Sequence, residues 1–211
     1  MWKKHNIVTG VIMLWAALWV GEKANAQVVE NNQTPNNIEN VQIWVKGQLL
    51  WLDQYDYKTM LKMDISLLTP EVVKKVMLER INEIRKEHGL KTLVYDQRLD
   101  SIALDFAKEL NWTDWRNKKY PHIDSQGRSA YDRVEASPLW KHVVLIKRNG
   151  FLYGIKENIV SATTSVNGQM KALMDSRGHR EAILSSDVNS VWFGYDDGYL
   201  VLVQLFANIK K

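Results

Sequence analysis

The hydrophobic pattern changes character several times along this chain. Residues 1–26 hold one uncharged, mostly apolar run, Ile7 to Gly21, behind the basic start Met1-Trp2-Lys3-Lys4-His5 and ahead of Ala24-Asn25-Ala26. That is the layout of a secretory leader, and the run falls short of the ~20 apolar residues a membrane span needs. Cleavage after Ala26 is expected, leaving no stable transmembrane span. No cysteine follows the run to carry a lipid. Residues 27–40 (QVVENNQTPNNIEN) are rich in Asn and Gln, with few large apolar groups, and predict a flexible arm. Residues 41–69 form an N-terminal extension. Two short apolar stretches between Gln42 and Trp51 flank Gly47 as in a hairpin, and Tyr55, Tyr57, Met60 and Leu61 follow. Packing on the main domain is the plainest role for this segment.

From residue 70 to 211 the pattern becomes that of a folded domain. Thr69 suits an N-cap and Pro70 the first helical position. Val72, Val73, Val76, Met77, Ile81 and Ile84 recur at helical spacing, and Gly89 suits the residue after the C-cap. Asp96 reads as a cap for a second amphipathic helix carrying Leu99, Ile102, Ala103, Phe106, Ala107 and Leu110. Ser129 and Asp132 predict a short third helix with a capping interaction. Val166 to Met174 predicts a fourth, and His179 to Leu184 a helical turn. Two hairpins are expected late: 143–147 with 151–155 around Arg148-Asn149-Gly150, and 190–195 with 199–206 around Asp196-Asp197-Gly198. Helices on both sides of a small antiparallel sheet would bury these stretches.

Charge narrows the function classes. Removing Lys3, Lys4, Lys23 and Glu22 with the leader takes 28 basic and 24 acidic residues to 25 and 23, which is no nucleic-acid footprint. The chain has no cysteine. Thiol nucleophiles, Cys-based zinc sites and iron–sulfur clusters are excluded, and stability must come from the core. A secreted or periplasmic bacterial setting fits.

Two histidines in distinctive frames carry the candidate chemistry: His122 in Tyr120-Pro121-His122-Ile123-Asp124-Ser125-Gln126-Gly127-Arg128-Ser129, and His179 in Ser176-Arg177-Gly178-His179-Arg180-Glu181. Between them lies Glu157-Asn158-Ile159. The stretch from Val72 to Ala207 resembles the CAP superfamily of cysteine-rich secretory, antigen 5 and pathogenesis-related proteins, in its short cysteine-free bacterial branch. Asn82 to Leu90 is similar to the family's N-x-x-R-x-x-x-G-L helix end, and Leu99 to Leu110 to its second helix. His122 to Arg133 is similar to its H-x-x-x-x-G-R-S-x-x-D-R, and Glu157-Asn158-Ile159 to its G-E-N-I. Ser176 to Leu184 is similar to S-P-G-H-R-x-x-I-L, and Val203 to Phe206 to V-Q-x-F. The resemblance implies an α+β fold, a three-layer α-β-α sandwich with a small antiparallel sheet, and a cleft lined by His122, Glu157 and His179. The chain departs from the pattern at Pro121, Lys156 and Arg177. Many relatives carry a second cleft glutamate; Lys171 and Ser176 are the candidate counterparts here, so Lys171 would bring a cation to the cleft, with Asp175 as a candidate substitute carboxylate.

Two neutral histidines and a carboxylate can hold Zn2+ or another divalent cation with a water in an open position. They can equally form a hydrogen-bonded polar cleft without metal. A Ser129-His122-Glu157 relay is a further arrangement, but Ser129 and Ser176 suit capping, and there is no Gly-x-Ser-x-Gly elbow. Arg128, Arg133 and Arg180 suit loop anchoring through carboxylates. Tyr153 and Trp192 suit core packing. The expectation is an exported protein binding a ligand or partner at the cell envelope, with lipid, sterol or cell-surface components as the classes the resemblance implies. The alternative is a metal-dependent or histidine-based hydrolase using the same cleft.

Overall fold

A computed structural model of the 211-residue chain describes residues 42–45, 48–51, 57–111, 119–148, 151–161, 163–198 and 200–210. The leader, the arm, Trp112, Trp115 and the turn at Asn149-Gly150 lie outside the described residues. Two antiparallel pairs stand apart from the main sheet: β1 (Gln42–Val45) with β2 (Gln48–Trp51), and β4 (Ile146–Arg148) with β5 (Phe151–Tyr153). The central sheet is built from β3 (Val94–Tyr95), β6 (Ile155–Val160), β7 (Ser190–Asp196) and β8 (Val201–Ala207), in the spatial order β3-β7-β8-β6.

Alternation along β7 and β8 splits the core into two layers. Val191, Phe193, Tyr195, Leu202 and Phe206 face α2 (Pro70–Glu87), α5 (Val166–Asp175) and α6 (Arg177–Ile183). Trp192, Val201, Val203, Leu205 and Ala207 face α3 (Asp100–Asn111) and α4 (Ala130–Glu135). Both strands are buried on both faces, as a sheet sandwiched between helices requires. The expected α-β-α architecture is what forms, except that β3 runs parallel to β7.

The helix ends follow from local chemistry. Thr69 Oγ1 accepts from Val72 N at 3.4 Å ahead of Pro70. At the other end Gly89 takes φ +69, Leu90 N donates to Arg85 O at 2.9 Å and Gly89 N to Lys86 O at 3.0 Å, a Schellman closure. Part of the extension packs on the main domain. A short helix α1 (Tyr57–Met60) and the turn after it bury Met60, Leu61, Ile65 and Leu68 in the same layer as α2, and Ile65 N donates to Thr164 O at 2.9 Å.

The expected 143–147/151–155 hairpin is corrected. Its paired part is only 146–148 with 151–153. Val143 instead bridges Ile209, and the chain switches sheets at Gly154, so that residues 155–160 form the edge of the central sheet. A Cβ at Gly154 would lie 2.3 Å from Leu145 Cδ2, so a larger residue at the crossing point would make the Leu145 side chain turn aside. The alternation rule reads 151–155 as one strand because it sees only local pattern, not the change of partner.

A second glycine sets the spacing of the α3 layer. A Cβ on Gly194 of β7 would sit 2.0 Å from Ala103 C and 2.2 Å from Ala103 O in the α3 backbone. Backbone atoms cannot swing aside, so helix and sheet would have to separate. Gly194→Ala is expected to lower the unfolding free energy by about 2–3 kcal/mol, read from the urea midpoint at constant m-value.

Candidate functional site

The first wall of the site is residues 120–135, and each position in that frame has a local task. Asp124 is buried and accepts from Gln126 N at 3.0 Å, Arg128 N at 2.8 Å and Arg128 Nε at 2.8 Å. Burial pushes its carboxyl up, but these hydrogen bonds outweigh it and hold the group below the usual carboxylate range. Gly127 makes the reversal with φ +78. Ser129 opens α4 with the expected capping box: its Oγ accepts from Asp132 N at 3.4 Å, and Asp132 Oδ2 accepts from Ser129 N at 2.8 Å.

Arg133 projects from α4 toward the sheet. Its guanidinium lies 3.7 Å from the centroid of the Phe106 ring on α3. Nη1 donates to Arg128 O at 3.0 Å and Nη2 to Glu157 Oε2. The two side chains are 5% and 4% exposed, so this is a buried ion pair. The other carboxylate oxygen, Oε1, takes His122 Nδ1 at 3.0 Å. A carboxylate only accepts, so that bond places the proton on Nδ1 and leaves His122 Nε2 as the free acceptor. The His122 side chain is 45% exposed.

His179 reaches the same place from the other layer. It sits on α6, half-buried, with its ring centroid 6.5 Å from that of His122 and the planes at 57°. β6 links the two. Glu157 shares a face with Ile159 in the α3/α4 layer, while the next residue, Asn158, points the other way, as Val160 does. Asn158 Nδ2 donates to His179 O at 3.2 Å and to Gln204 Oε1 at 3.1 Å. Burial holds the His179 imidazole below its ordinary pKa of 6.5, and the charge His122 carries when protonated lowers it further. Near neutral pH His179 therefore offers an uncharged ring.

The structure thus brings together His122, Glu157 and His179. It does not bring Lys171: that side chain is 75% exposed and pairs with Asp175 Oδ2 at 2.6 Å along the outer face of α5. Lys171 is corrected as a cleft residue, because the positions of α5 that turn inward are Val166, Gln169, Met170 and Leu173. The same pairing leaves Asp175 on the surface. Ser176 occupies the N-cap position of α6 without a side-chain cap bond. Ser129 is committed to Asp132, Oγ to Oδ2 at 2.7 Å, so the Ser129 relay is not formed. Arg128 anchors through a carboxylate as expected, whereas Arg180 uses a carbonyl, Met174 O at 2.5 Å. Trp192 is fully buried, but Tyr153 is exposed. Arg133 and Asn158 are the functional positions that sequence reasoning undervalues. The available signal is the spacing of Ser129-x-x-Asp132-Arg133, which puts Arg133 one turn into a capped helix.

The donor set bears on a metal directly. Both Glu157 oxygens are engaged, so the carboxylate backs His122 rather than facing the cleft. Among the described residues no group of three His, Asp or Glu side chains could hold a metal ion. A zinc bonded to both rings at about 2.0–2.1 Å in tetrahedral geometry would draw their centroids to roughly 5 Å, closer than they stand. The residues fit two imidazole donors with a carboxylate behind one of them, not the three protein ligands of a tightly held catalytic zinc. Glu157 as a direct ligand is corrected accordingly.

Removing the guanidinium should expose the cost of the buried carboxylate. Arg133→Met is expected to lose about 3–5 kcal/mol in urea at pH 7, and Arg133→Met/Glu157→Met to regain most of it. Equal stability of the single and double variants would show that the ion pair is not the cause. His179 should titrate below pH 6.5 by ring-carbon NMR, and His122→Ala should raise that midpoint only partway, because burial is the larger cause. Since the folded pKa is depressed, the stability this ring contributes is present above 6.5 and lost as pH falls through the folded value.

Residues 78–203 match the family model described as the cysteine-rich secretory protein family, CAP. Over 125 residues the chain is 29% identical to YlbC, an uncharacterized membrane protein of Bacillus subtilis (strain 168); the match covers 59% of this chain and 32% of that protein. The chain therefore spans about a third of that relative. Among solved structures it is similar to an outer surface protein from Borrelia burgdorferi, with a TM-score of 0.53, 20% identity, and coverage of 68% of this chain and 97% of that one. An extracellular protein containing a SCP domain from Bacillus anthracis str. Ames gives 0.48 and 17% identity over 87% of this chain and 67% of that one. The family match extends over more than half of the chain and takes in Arg133, Glu157 and His179 together with His122; this protein belongs to the CAP family.

Proposed function

We propose that the protein is exported and binds a ligand or partner at the cell envelope through the cleft of His122, Glu157 and His179. The observation that carries this reading is the double engagement of Glu157. Arg133 and His122 take both its oxygens, which fixes His122 in one tautomer and presents Nε2 beside an uncharged His179. Such a pair is built to accept, from a hydroxyl or ammonium donor or from a divalent cation whose remaining positions are filled by water or ligand. Export is supported by the leader pattern of residues 1–26, and an envelope setting is consistent with the outer-surface description of the Borrelia burgdorferi protein. Among the described residues no helix is long and apolar enough to cross a membrane. Lipids, sterols and other cell-surface components are the ligand classes that family membership brings forward.

A second reading rests on the same 3.0 Å contact. A carboxylate orienting an imidazole is also the geometry of a general base, with Glu157 stabilising the imidazolium once His122 Nε2 has taken a proton from water. Hydrolysis would then need neither serine nor thiol.

Zinc titration of the full chain, followed through the imidazole NMR signals, tests the binding reading. His122→Ala and His179→Ala should each abolish the response, and Glu157→Gln should weaken it roughly tenfold or more through loss of the backing carboxylate. Unchanged zinc affinity in both alanine variants would remove the cleft as the metal site. Turnover of peptide or ester substrates that disappears in His122→Ala would favour the hydrolase.

A further inference from the structure

A hollow of about 680 Å³ lies away from the two histidines. It opens at the β3 edge of the sheet, between the end of α2, the loop that follows α6 and the C-terminal residues 208–210. Its size is within the range of small-molecule sites. Four cationic side chains line it, Arg85, Lys91, Arg98 and Lys210, against two carboxylates, Asp96 and Asp187. Asp96 is already committed to Arg98, accepting from its Nε at 2.8 Å and 2.9 Å.

Arg85 is the unusual member. It is 1% exposed, and its hydrogen bonds run to carbonyls rather than to an acid. Nε donates to Lys91 O at 2.8 Å, and Nη1 donates to Ile183 O at 2.6 Å and Ser185 O at 2.9 Å. These bonds tie the end of α2 to the end of α6 and account for three of the five guanidinium hydrogens. Among the described residues no acceptor takes the two on Nη2, and that nitrogen is not among the fully buried unsatisfied atoms. Burial alone pushes the group's pKa down, with no nearby carboxylate opposing it. A buried full charge is normally paired, and carbonyl dipoles meet only part of that demand. Val94 and Val188 add apolar surface beside the charge.

We propose that this hollow is a second binding site, which takes a small organic oxyanion, a carboxylate or phosphate ester, with its charged end on Arg85 Nη2 and its carbon part against Val94 and Val188. Lys91 and Lys210 add positive charge at the rim. The ligand supplies the counter-charge that the chain itself withholds from Arg85. This site is independent of the histidine cleft.

Citrate and inorganic phosphate, titrated separately into the 15N-labelled full chain with ionic strength held constant by chloride, test the proposal. Saturable shifts confined to 85–94, 186–190 and 208–210 are expected for at least one of them, and the two arms tell carboxylate from phosphate preference. Arg85→Met would orphan three carbonyls and put folding at risk, so Lys91→Ala/Lys210→Ala is the working variant. It is expected to weaken binding roughly tenfold, the worth of two solvent-facing ionic contacts. Linear or scattered shifts with both anions, or a double variant within about twofold of the parent, would overturn the site.

Discussion

The buried Glu157 carboxylate is the constraint around which the histidine site is arranged. A carboxylate at 4% exposure is costly unless its charge is met and its lone pairs are used. Arg133 meets the charge, and His122 uses the second oxygen. Each partner must then be delivered with the right geometry. Arg133 is delivered by α4, whose start is set by the Ser129–Asp132 box; His122 is delivered by a loop that Asp124 and Arg128 close from within. The demand of one buried charge thus explains a run of otherwise unconnected motif residues.

β6 converts that demand into a cleft. Among the described residues it is an edge strand, paired on one side to β8, while its two faces look into different layers. Glu157 engages the α4 layer, and Asn158, one residue on, engages the α6 layer through His179 O. Adjacent residues on opposite faces are what place two histidines from distant segments within 6.5 Å, ring to ring. Arg85 secures the far end of α6 through Ile183 O, so the helix bearing His179 is tied down by polar side chains at two points. The site is therefore positioned by buried polar contacts rather than by apolar packing alone. The surrounding layers of Trp192, Phe193 and Phe206 provide the low-dielectric frame that makes those contacts selective.

Much of the fold is legible along the chain. The helix from Pro70, its Thr69 cap and its Gly89 closure depend on neighbours within a few residues, and the pattern of Val72 to Ile84 specifies the buried face without reference to any partner. The frames around His122 and His179 mark the right residues. Lys171 is misplaced by sequence because offset alone cannot say which way a helix is rotated about its axis. Residues 151–155 read as one strand because pattern does not reveal where a chain changes sheets, and Arg133 passes as a generic anchor because its partner lies 24 positions away.

What the sequence determined by itself was local: the amphipathic faces, the caps, the turns, the cysteine-free character and the order of the motifs. What only the tertiary structure decided was pairing across distance. Glu157 became a backing group rather than a facing ligand, His179 an uncharged ring, and Arg85 a buried cation held by carbonyls. Each of these depends on which atoms meet and how much water they lose, and desolvation is a property of the packed assembly, not of any segment read alone.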